Sequence, residues 1–298
     1  MSGLAFARMH GCGNDFVVID DRDGHWRASR DHLARALCDR RQGLGGDGLI
    51  LIERSDGGGD ADFRMTYVNA NGMDGEMCGN GARCAIHRAA NLGMIGARSA
   101  MSTPAGLIRA AIDGATITLE MTPPVDERPP LSLEILGRVF DFAYIDTGVP
   151  HVVAFVGDLE KLDVARLGPI IRHHAAFQPR GVNVNFAMRT GPAQFRVRTY
   201  ERGVEAETLA CGTGSVAVAL MSHRRFGNLA PIAIVPSGGG LLTIGFRIAA
   251  DGAFGDATLG GPAEIIAEGV LPQTWLDTRG LAPADRTGAR TAARQGRR

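Results

Sequence analysis

One short pattern decides the fold because it occurs twice, as MCGNGARCAIHRAA at residues 77–90 and as ACGTGSVAVALMSH at residues 210–223. In both copies Cys-Gly-x-Gly precedes a run of small residues with helical spacing. The pattern places Cys78 and Cys211 each at the mouth of a helix. Two copies of one unit predict a chain of two pseudo-symmetric halves with a site between them.

The elements around the two copies follow one order, in which strands with alternating apolar residues are interrupted by two helices per half. In the first half the patterns predict strands at 15–20, 49–53, 62–69, 106–112 and 115–121, and helices at 31–40 and 81–92. In the second half they predict strands at 139–146, 152–156, 182–188, 195–200, 232–235 and 241–248, and helices at 164–173 and 214–226. The fold class is therefore α/β in the broad sense, of the α+β kind.

The domain limits follow from breaks in this periodicity. The segment TPPVDERPP at residues 122–130 is predicted to be a linker, which gives an N-terminal half at 1–122 and a C-terminal half at 123–272. The last strand of the second half is a candidate to join the first. Residues 273–298 are rich in arginine and poor in apolar side chains, and are predicted to be a disordered tail.

Composition excludes several classes of protein. The formal net charge of zero gives no reason to expect nucleic acid or an anionic membrane as a partner. No apolar run approaches the ~18 residues of a membrane span, and the N-terminus lacks the pattern of a secretory signal. Five cysteines, an odd number spread along 298 residues, are typical of reduced thiols in a cytoplasmic protein.

The chain contains a single lysine, Lys161, in the polar segment DLEKLDV. A pyridoxal-phosphate enzyme needs a lysine for its Schiff base in an enclosed pocket, and this segment predicts a solvated one. No P-loop is present, and no cysteine spacing is typical of a zinc site, so neither a cofactor nor a metal is expected.

The N-termini of the two helices that follow Cys78 and Cys211 are the candidate catalytic elements. A helix N-terminus favours negative charge, so a thiolate forms more readily there. The amides of Gly79 and Asn80, and likewise those of Gly212 and Thr213, can hold a carboxylate. If one thiol stands on each side of an α-carbon, one thiolate can remove its proton while the opposite thiol delivers another. The sequence therefore predicts a cofactor-independent amino-acid epimerase with Cys78 and Cys211 as paired base and acid.

The residues at this point resemble the diaminopimelate epimerase family from about residue 6 to residue 271. The resemblance rests on MHGCGNDFVVID, GLGGDGLILIE, YVNANGMDGEMCGNGARC, TGVPHVV, GVNVNF and YERGVEAETLACGTGS. It implies two halves, each a curved, mostly antiparallel sheet around a central helix. It also implies interconversion of LL- and meso-diaminopimelate in lysine and cell-wall synthesis, by a cytoplasmic enzyme without cofactor, with a homodimer as the common assembly.

The resemblance also assigns roles to single residues. It implies that Cys78 and Cys211 are the catalytic pair, with His151 and Glu201 supporting the reacting centre. The residues implied to contact substrate are Asn14, Asn69, Gly79, Asn80, Asn183, Glu201, Arg202, Gly212 and Thr213. The guanidinium of Arg202 suits the distal carboxylate.

Some positions depart from the family pattern. Val149 stands where many members carry asparagine, Asn71 stands at an acidic position, and Gly48 at one that is glutamine in some members. Because of Val149, one alternative function is that of a racemase of another amino acid, such as histidine, on the same scaffold. A cysteine hydrolase using Cys211, His151 and Glu201 is a further alternative, as is a non-catalytic amino-acid-binding protein.

Overall fold

The computed structural model describes residues 3–55, 59–75 and 77–284. Its contacts divide the chain into two compact units, the first formed by Met1–His10, Asp15–Arg109 and Glu264–Arg298, the second by Gly11–Asn14 and Ala110–Ala263. These limits differ from the predicted boundary after residue 122, because the strands just before that residue pair within the second unit.

The elements of unit 1 alternate strands with two helices. In chain order they are β1 (Gly3–Gly11), β2 (Asn14–Asp20), α1 (Arg30–Cys38), β3 (Gly48–Arg54), β4 (Phe63–Asn69), α2 (Gly79–Asn91), β5 (Arg98–Thr103) and the start of β6 (Gly106–Asp113). The helices begin and end within two residues of the predicted limits. A 3-10 turn, Arg27–Ser29, precedes α1.

Unit 2 is richer in strands. Its elements are β7 (Thr116–Glu120), β8 (Val125–Ile135), β9 (Arg138–Asp146), β10 (Pro150–Phe155), α3 (Val164–Arg172), β11 (Asn183–Gly191), β12 (Gln194–Glu201), β13 (Ala206–Thr208), α4 (Gly212–Phe226), β14 (Ile232–Pro236), β15 (Leu242–Ile248) and β16 (Phe254–Pro262). The chain then returns to unit 1 with β17 (Glu264–Pro272) and α5 (Gln273–Asp277).

Strand pairing repeats between the units. In unit 1, β2 is parallel to β3, β3 is antiparallel to β4, and β4 is parallel to β5. In unit 2, β10 is parallel to β11, β11 is antiparallel to β12, and β12 is parallel to β14. Most of the other pairs, such as β8–β9, β14–β15 and β15–β16, are antiparallel. The predicted α+β class with mostly antiparallel strands and few helices is confirmed.

Helix α4 is the centre of unit 2. Its residues 214–222 are buried, and it contacts β9, β10, β11, β14, β15 and β16. A helix that is apolar on all sides has to be enclosed, and the strands provide the enclosure by curving around it. Its C-terminus ends at Gly227, whose φ of 69° is the left-handed conformation that glycine adopts without strain.

Unit 1 packs two helices against its strands. Leu33 and Leu37 of α1 belong to an apolar cluster with Val17 and Leu49 of the sheet. Helix α2 approaches β3 closely through small residues, since a Cβ on Gly81 would lie 3.3 Å from Ile50 Cδ1. The small-residue run that predicted this helix therefore also serves its packing.

The segment predicted as a linker contains a strand. Strand β8 pairs with β9, and its register shifts twice between Val125 and Leu131. Most of its side chains are exposed, which allows Pro129 and Pro130 where a central strand would need N–H donors. The prediction of an irregular linker is therefore wrong from residue 125 onward.

The C-terminal segment contributes to unit 1. Strand β17 is antiparallel to β1, with Gly3 opposite Pro272. Beyond it, Leu276 of α5 and Leu281 are buried in the same apolar cluster as Leu4. Residues 273–284 thus differ from the expected disordered tail, because these two leucines pack against the core. Residues 285–298 of the predicted tail lie outside the described residues.

Candidate active site

Both cysteines occupy the N-cap position of a helix. Cys78 precedes α2 with φ −118° and ψ 110°, and Cys211 precedes α4 with φ −113° and ψ 111°. The Gly81 N–H donates to Cys78 Sγ at 3.5 Å. The two turns therefore have one backbone conformation, and each places a sulfur where the helix dipole and free amides favour a thiolate.

A buried guanidinium supports the turn after Cys78. Arg83 has no exposed surface, and it donates to Asn80 Oδ1 at 2.8 Å and to the Gly79 carbonyl oxygen at 3.2 Å. These bonds fix the backbone and carboxamide of the two residues predicted to hold a carboxylate. The sequence signal for Arg83 is a charged residue inside a run of small apolar ones, which predicted helix packing but no role for the arginine.

Glu201 lies beside Cys211. Its carboxylate accepts a hydrogen bond from Thr208 Oγ1, and the Cys211 thiol is its other hydrogen-bonding side chain. Burial raises the pKa of the Glu201 carboxyl above its ordinary 4.5, and these two hydrogen bonds oppose the rise. An ionised carboxylate can only accept, so the thiol is the donor of this hydrogen bond when Glu201 is ionised.

His151 reaches Cys211 through a hydroxyl. The fully buried ring places Nε2 3.0 Å from Thr213 Oγ1, which is 3.5 Å from Cys211 Sγ. Burial, with the charge of Arg202 adding to it, lowers the pKa of His151 to about 3. The imidazole is therefore neutral near pH 7, and the Thr213 hydroxyl links it to the sulfur.

Further predicted residues of unit 2 line up on adjacent strands. His151 on β10 is opposite Asn183 on β11 in the parallel register. Asn183 donates to the Pro150 carbonyl oxygen at 3.1 Å, and its Oδ1 accepts from the Arg202 N–H at 2.9 Å. Hydrogen bonds therefore join Cys211, Glu201, His151 and Thr213 into one group, called the Cys211 group, and join Asn183 to Arg202 beside it. Val149 lies next to it in the chain, with its carbonyl oxygen 3.1 Å from the Thr147 amide nitrogen.

The predicted asparagines of the N-terminal motifs lie in turns. Asn69 ends β4, where Tyr67 Oη donates to its Oδ1 at 3.0 Å and its Nδ2 donates to the Met73 carbonyl oxygen at 3.3 Å. Asn71, at the position that departs from the family, accepts from the Met73 N–H at 2.9 Å. Asn14 begins β2 and is half-buried.

Asn185 was missed by the sequence reasoning. It is fully buried and bonds to the His151 ring, to Val152 and to Thr199. Its position two residues after Asn183 on one strand was the available signal, since alternate strand residues face one side of a sheet.

Two features bear on other chemistries. Lys161 is 84% exposed and pairs with Asp158 at 3.0 Å, which is not the enclosed position of a Schiff-base lysine. Across residues 3–55, 59–75 and 77–284, no group of three or more His, Cys, Asp or Glu side chains is arranged to hold a metal ion. Over the same residues, no helix is long and apolar enough to span a membrane.

Comparison with known proteins identifies the family. The diaminopimelate epimerase family profile matches residues 6–126 and 143–256. The diaminopimelate epimerase of Aquifex aeolicus (strain VF5) is 41% identical over 253 residues, 82% of this chain and 90% of the relative. That of Chlorobaculum tepidum is 41% identical over 268 residues, 88% and 99% of the two chains. This chain belongs to the diaminopimelate epimerase family.

Solved structures show that the fold extends beyond the diaminopimelate epimerase family. A probable proline racemase from Agrobacterium radiobacter K84 matches with a TM-score of 0.67 at 14% identity, over 90% of this chain and 93% of that one. A Bacillus anthracis phenazine biosynthesis protein of the PhzF family matches with a TM-score of 0.69 at 14% identity, over 91% and 100%. At this identity the likeness concerns the fold alone.

Proposed function

We propose that this chain interconverts LL-2,6-diaminopimelate and meso-diaminopimelate, with Cys78 and Cys211 as the two proton-transfer groups. The observation that carries the proposal is that both cysteines occupy the N-cap position of a helix in one backbone conformation. Membership of the diaminopimelate epimerase family supports the substrate.

The proposed reaction moves two protons. A thiolate takes the proton from the α-carbon, the C–H electron pair delocalises into the adjacent carboxylate, and the other thiol gives its proton to the opposite face of that carbon. The amides that follow the cysteines, those of Gly79, Asn80, Gly212 and Thr213, would hold the carboxylate and stabilise its developing charge. At the end of one turnover the thiol and the thiolate have exchanged places, so the reverse reaction begins from the product state.

The surroundings of the two sulfurs support different roles in the free enzyme. Cys78 accepts the Gly81 N–H, which favours a thiolate, whereas Cys211 donates to Glu201, which favours a thiol. We assign Cys78 as the base and Cys211 as the acid of the resting state. Since the two groups act on one substrate, their titrations are treated as a coupled pair.

The distal end of the substrate carries a second carboxylate and amine. Arg202 is proposed to bind that carboxylate, with Asn14, Asn69 and Asn183 as polar contacts of the bound molecule. The bond from the Arg202 amide to Asn183 supports their assignment to one subsite.

The setting of the enzyme is also a proposal. We expect a cytoplasmic homodimer that works without cofactor in lysine and peptidoglycan-precursor synthesis. Light scattering coupled to size-exclusion chromatography tests the dimer, and a mass near the 31.5 kDa of one chain would contradict it.

The deciding experiment is proton NMR of the reduced protein with LL-diaminopimelate in D2O, without added pyridoxal phosphate. The α-proton signal should disappear as the meso form accumulates. Cys78→Ser should lower this rate at least ~100-fold, because the chemistry loses one of its two proton-transfer groups. Cys84→Ala, in the same helix, is the matched control and should retain most of the rate.

The alternatives predict other results. A cysteine hydrolase would retain its hydrolytic activity in Cys78→Ser. A racemase of another amino acid would instead exchange the α-proton of that amino acid, and histidine is the first to try. No exchange with any amino acid tested would contradict the proposed reaction.

A further inference from the structure

Asn185 has every polar atom engaged although it touches no group that reacts in the proposed mechanism. Its Nδ2 lies 3.0 Å from the Val152 carbonyl oxygen and 3.1 Å from His151 Nδ1, and its Oδ1 accepts from Thr199 Oγ1 at 3.0 Å. The side chain lies directly below the first turn of α4, since a Cβ on Gly214 would be 2.4 Å from its Oδ1.

These bonds determine the orientation of the carboxamide. A carbonyl oxygen can only accept, so the group facing Val152 has to be the NH2 end. The same NH2 group faces His151 Nδ1, which therefore accepts and carries no hydrogen. A neutral imidazole has one donor and one acceptor nitrogen, so the hydrogen of His151 is on Nε2.

The tautomer of His151 determines how the Thr213 hydroxyl is hydrogen-bonded. His151 Nε2–H donates to Thr213 Oγ1 at 3.0 Å, which uses an acceptor position of the hydroxyl and leaves its hydrogen available. Cys211 Sγ lies 3.5 Å from that oxygen. We propose that Asn185 is a positioning residue that fixes the Nε2–H tautomer of His151 and thereby directs the Thr213 hydroxyl hydrogen at the Cys211 sulfur. The role assigned here rests on the proposed function of Cys211.

The direction of the hydrogen bonds from Asn185 to Cys211 affects the ionisation of the Cys211 thiol. A hydroxyl that donates to sulfur stabilises the thiolate, so Cys211 can give up its proton to the substrate and hold the negative charge afterwards. The other ionisable groups facing this part of unit 2 are Glu201, which accepts from the thiol, and Arg202, whose charge opposes protonation of His151. Glu201 holds the proton on Cys211 before reaction, and the Thr213 hydroxyl compensates for its loss.

The first test determines the His151 tautomer in the wild-type protein. Nitrogen-15 NMR of the ring nitrogens distinguishes the two neutral tautomers, and His151→Gln identifies the His151 signals by their loss. The expected result at pH 7 is a neutral ring with hydrogen on Nε2. A ring protonated on Nδ1, alone or together with Nε2, would overturn the proposal.

The second test measures the Cys211 thiol in a Cys78→Ala background, which removes the coupled titration. Its apparent pKa comes from the pH dependence of alkylation by iodoacetamide, read on the peptide that contains Cys211. Thr213→Val should raise that pKa by about 1 unit, because the thiolate loses a hydrogen-bond donor. Thr213→Ser keeps the hydroxyl and should leave the value unchanged.

Asn185→Asp tests whether the Asn185 carboxamide fixes the tautomer of His151. Its carboxylate can only accept, so hydrogen should move to His151 Nδ1, and Nε2 should then accept from Thr213 and turn the hydroxyl away from sulfur. The Nδ1 tautomer should appear together with a raised Cys211 pKa. If this variant fails to fold, the wild-type tautomer and the two Thr213 variants decide the question. An equal Cys211 pKa with and without Thr213→Val in the Cys78→Ala background overturns the proposal.

These measurements use no substrate. A protein with the expected tautomer and thiol pKa but no proton exchange would refute the proposed function and leave the hydrogen-bond chain standing. Exchange with LL-diaminopimelate in a protein with the Nδ1 tautomer would support the proposed function and refute the hydrogen-bond chain.

Discussion

The Tyr67 ring occupies the space that a side chain at Gly48 would need. A Cβ on Gly48 would lie 2.4 Å from Tyr67 Cε2, and on the other side a Cβ on Gly75 would lie 2.1 Å from Tyr67 Cδ1. The ring held in this way donates its hydroxyl hydrogen to Asn69 Oδ1 at 3.0 Å. Two glycines therefore position a tyrosine that in turn orients a proposed substrate contact.

Replacing Gly48 by glutamine, the residue of some family members, should destabilise this protein. Overpacking against Tyr67 predicts a loss of about 1–3 kcal/mol in the free energy of unfolding, measured with urea. In a Tyr67→Leu background the same replacement should cost less. Only part of the lost stability should be recovered in that background, because the Val68 carbonyl oxygen would still lie 2.8 Å from the new Cβ. Equal costs in both backgrounds would show that the ring does not limit the site.

Val149→Asn tests recognition of the distal end of the substrate. If the family asparagine contacts that end, the variant should lower KM for LL-diaminopimelate by about 3- to 10-fold, the value of one added hydrogen bond to a polar or charged group, and leave kcat nearly unchanged. Val139→Asn, at an exposed position of β9, is a control that should change neither constant. A higher KM together with turnover of another amino acid would favour a different substrate.

Glu201→Gln should alter the acidic side of the pH–rate profile. Burial raises the pKa of Glu201, and the proposed role needs the ionised form, so kcat/KM should fall as the pH decreases through that raised pKa. The amide of the variant does not titrate, so this decline should be lost and the maximal rate should fall as well. An unchanged acidic limb would mean that another group controls it.

Asp15→Asn should reduce stability in a pH-dependent way. Burial alone would raise the pKa of Asp15, but hydrogen bonds from Arg40 and Arg8 lower it to about 2 from the model-compound 3.8. A depressed carboxyl pKa stabilises the fold above about pH 4, and that contribution disappears as the pH falls through 2. We expect a loss of about 1–2 kcal/mol at pH 7 that vanishes near pH 2. The exposed Asp60→Asn should change stability by less than about 0.5 kcal/mol at either pH.

The sequence predicted the elements whose pattern is local. The helices after Cys78 and Cys211 were found because a cap, two glycines and a run of small residues are contiguous in the chain. Strand β8 was not, since its exposed side chains and two prolines show no alternation, and its pairing with β9 alone makes it a strand. Helix α5 was missed because five residues are too few for a periodic signal.

The candidate site divides in a similar way. Cys78, Cys211 and the asparagines of the motifs could be named from residue types and spacing, and their roles stay predictions. The hydrogen bonds that join His151 to Asn185 and to Thr213 span 34 and 62 residues along the chain. The burial that lowers the pKa of His151 likewise depends on tertiary packing, so neither feature was accessible to a local pattern.

The pairing of β1 with β17 sets an order of events during synthesis. Strand β1 has its antiparallel partner at residues 264–272, and Leu276 and Leu281 complete the apolar cluster that contains Leu4. Unit 2, nearly continuous from Ala110 to Ala263, has emerged before that partner exists. Although the N-terminal part of a chain usually folds first during synthesis, all residues of unit 2 are therefore available here before those of unit 1 are complete. A nascent chain stalled before residue 264 would contain every residue of the Cys211 group while the unit that carries Cys78 still lacked its closing strand.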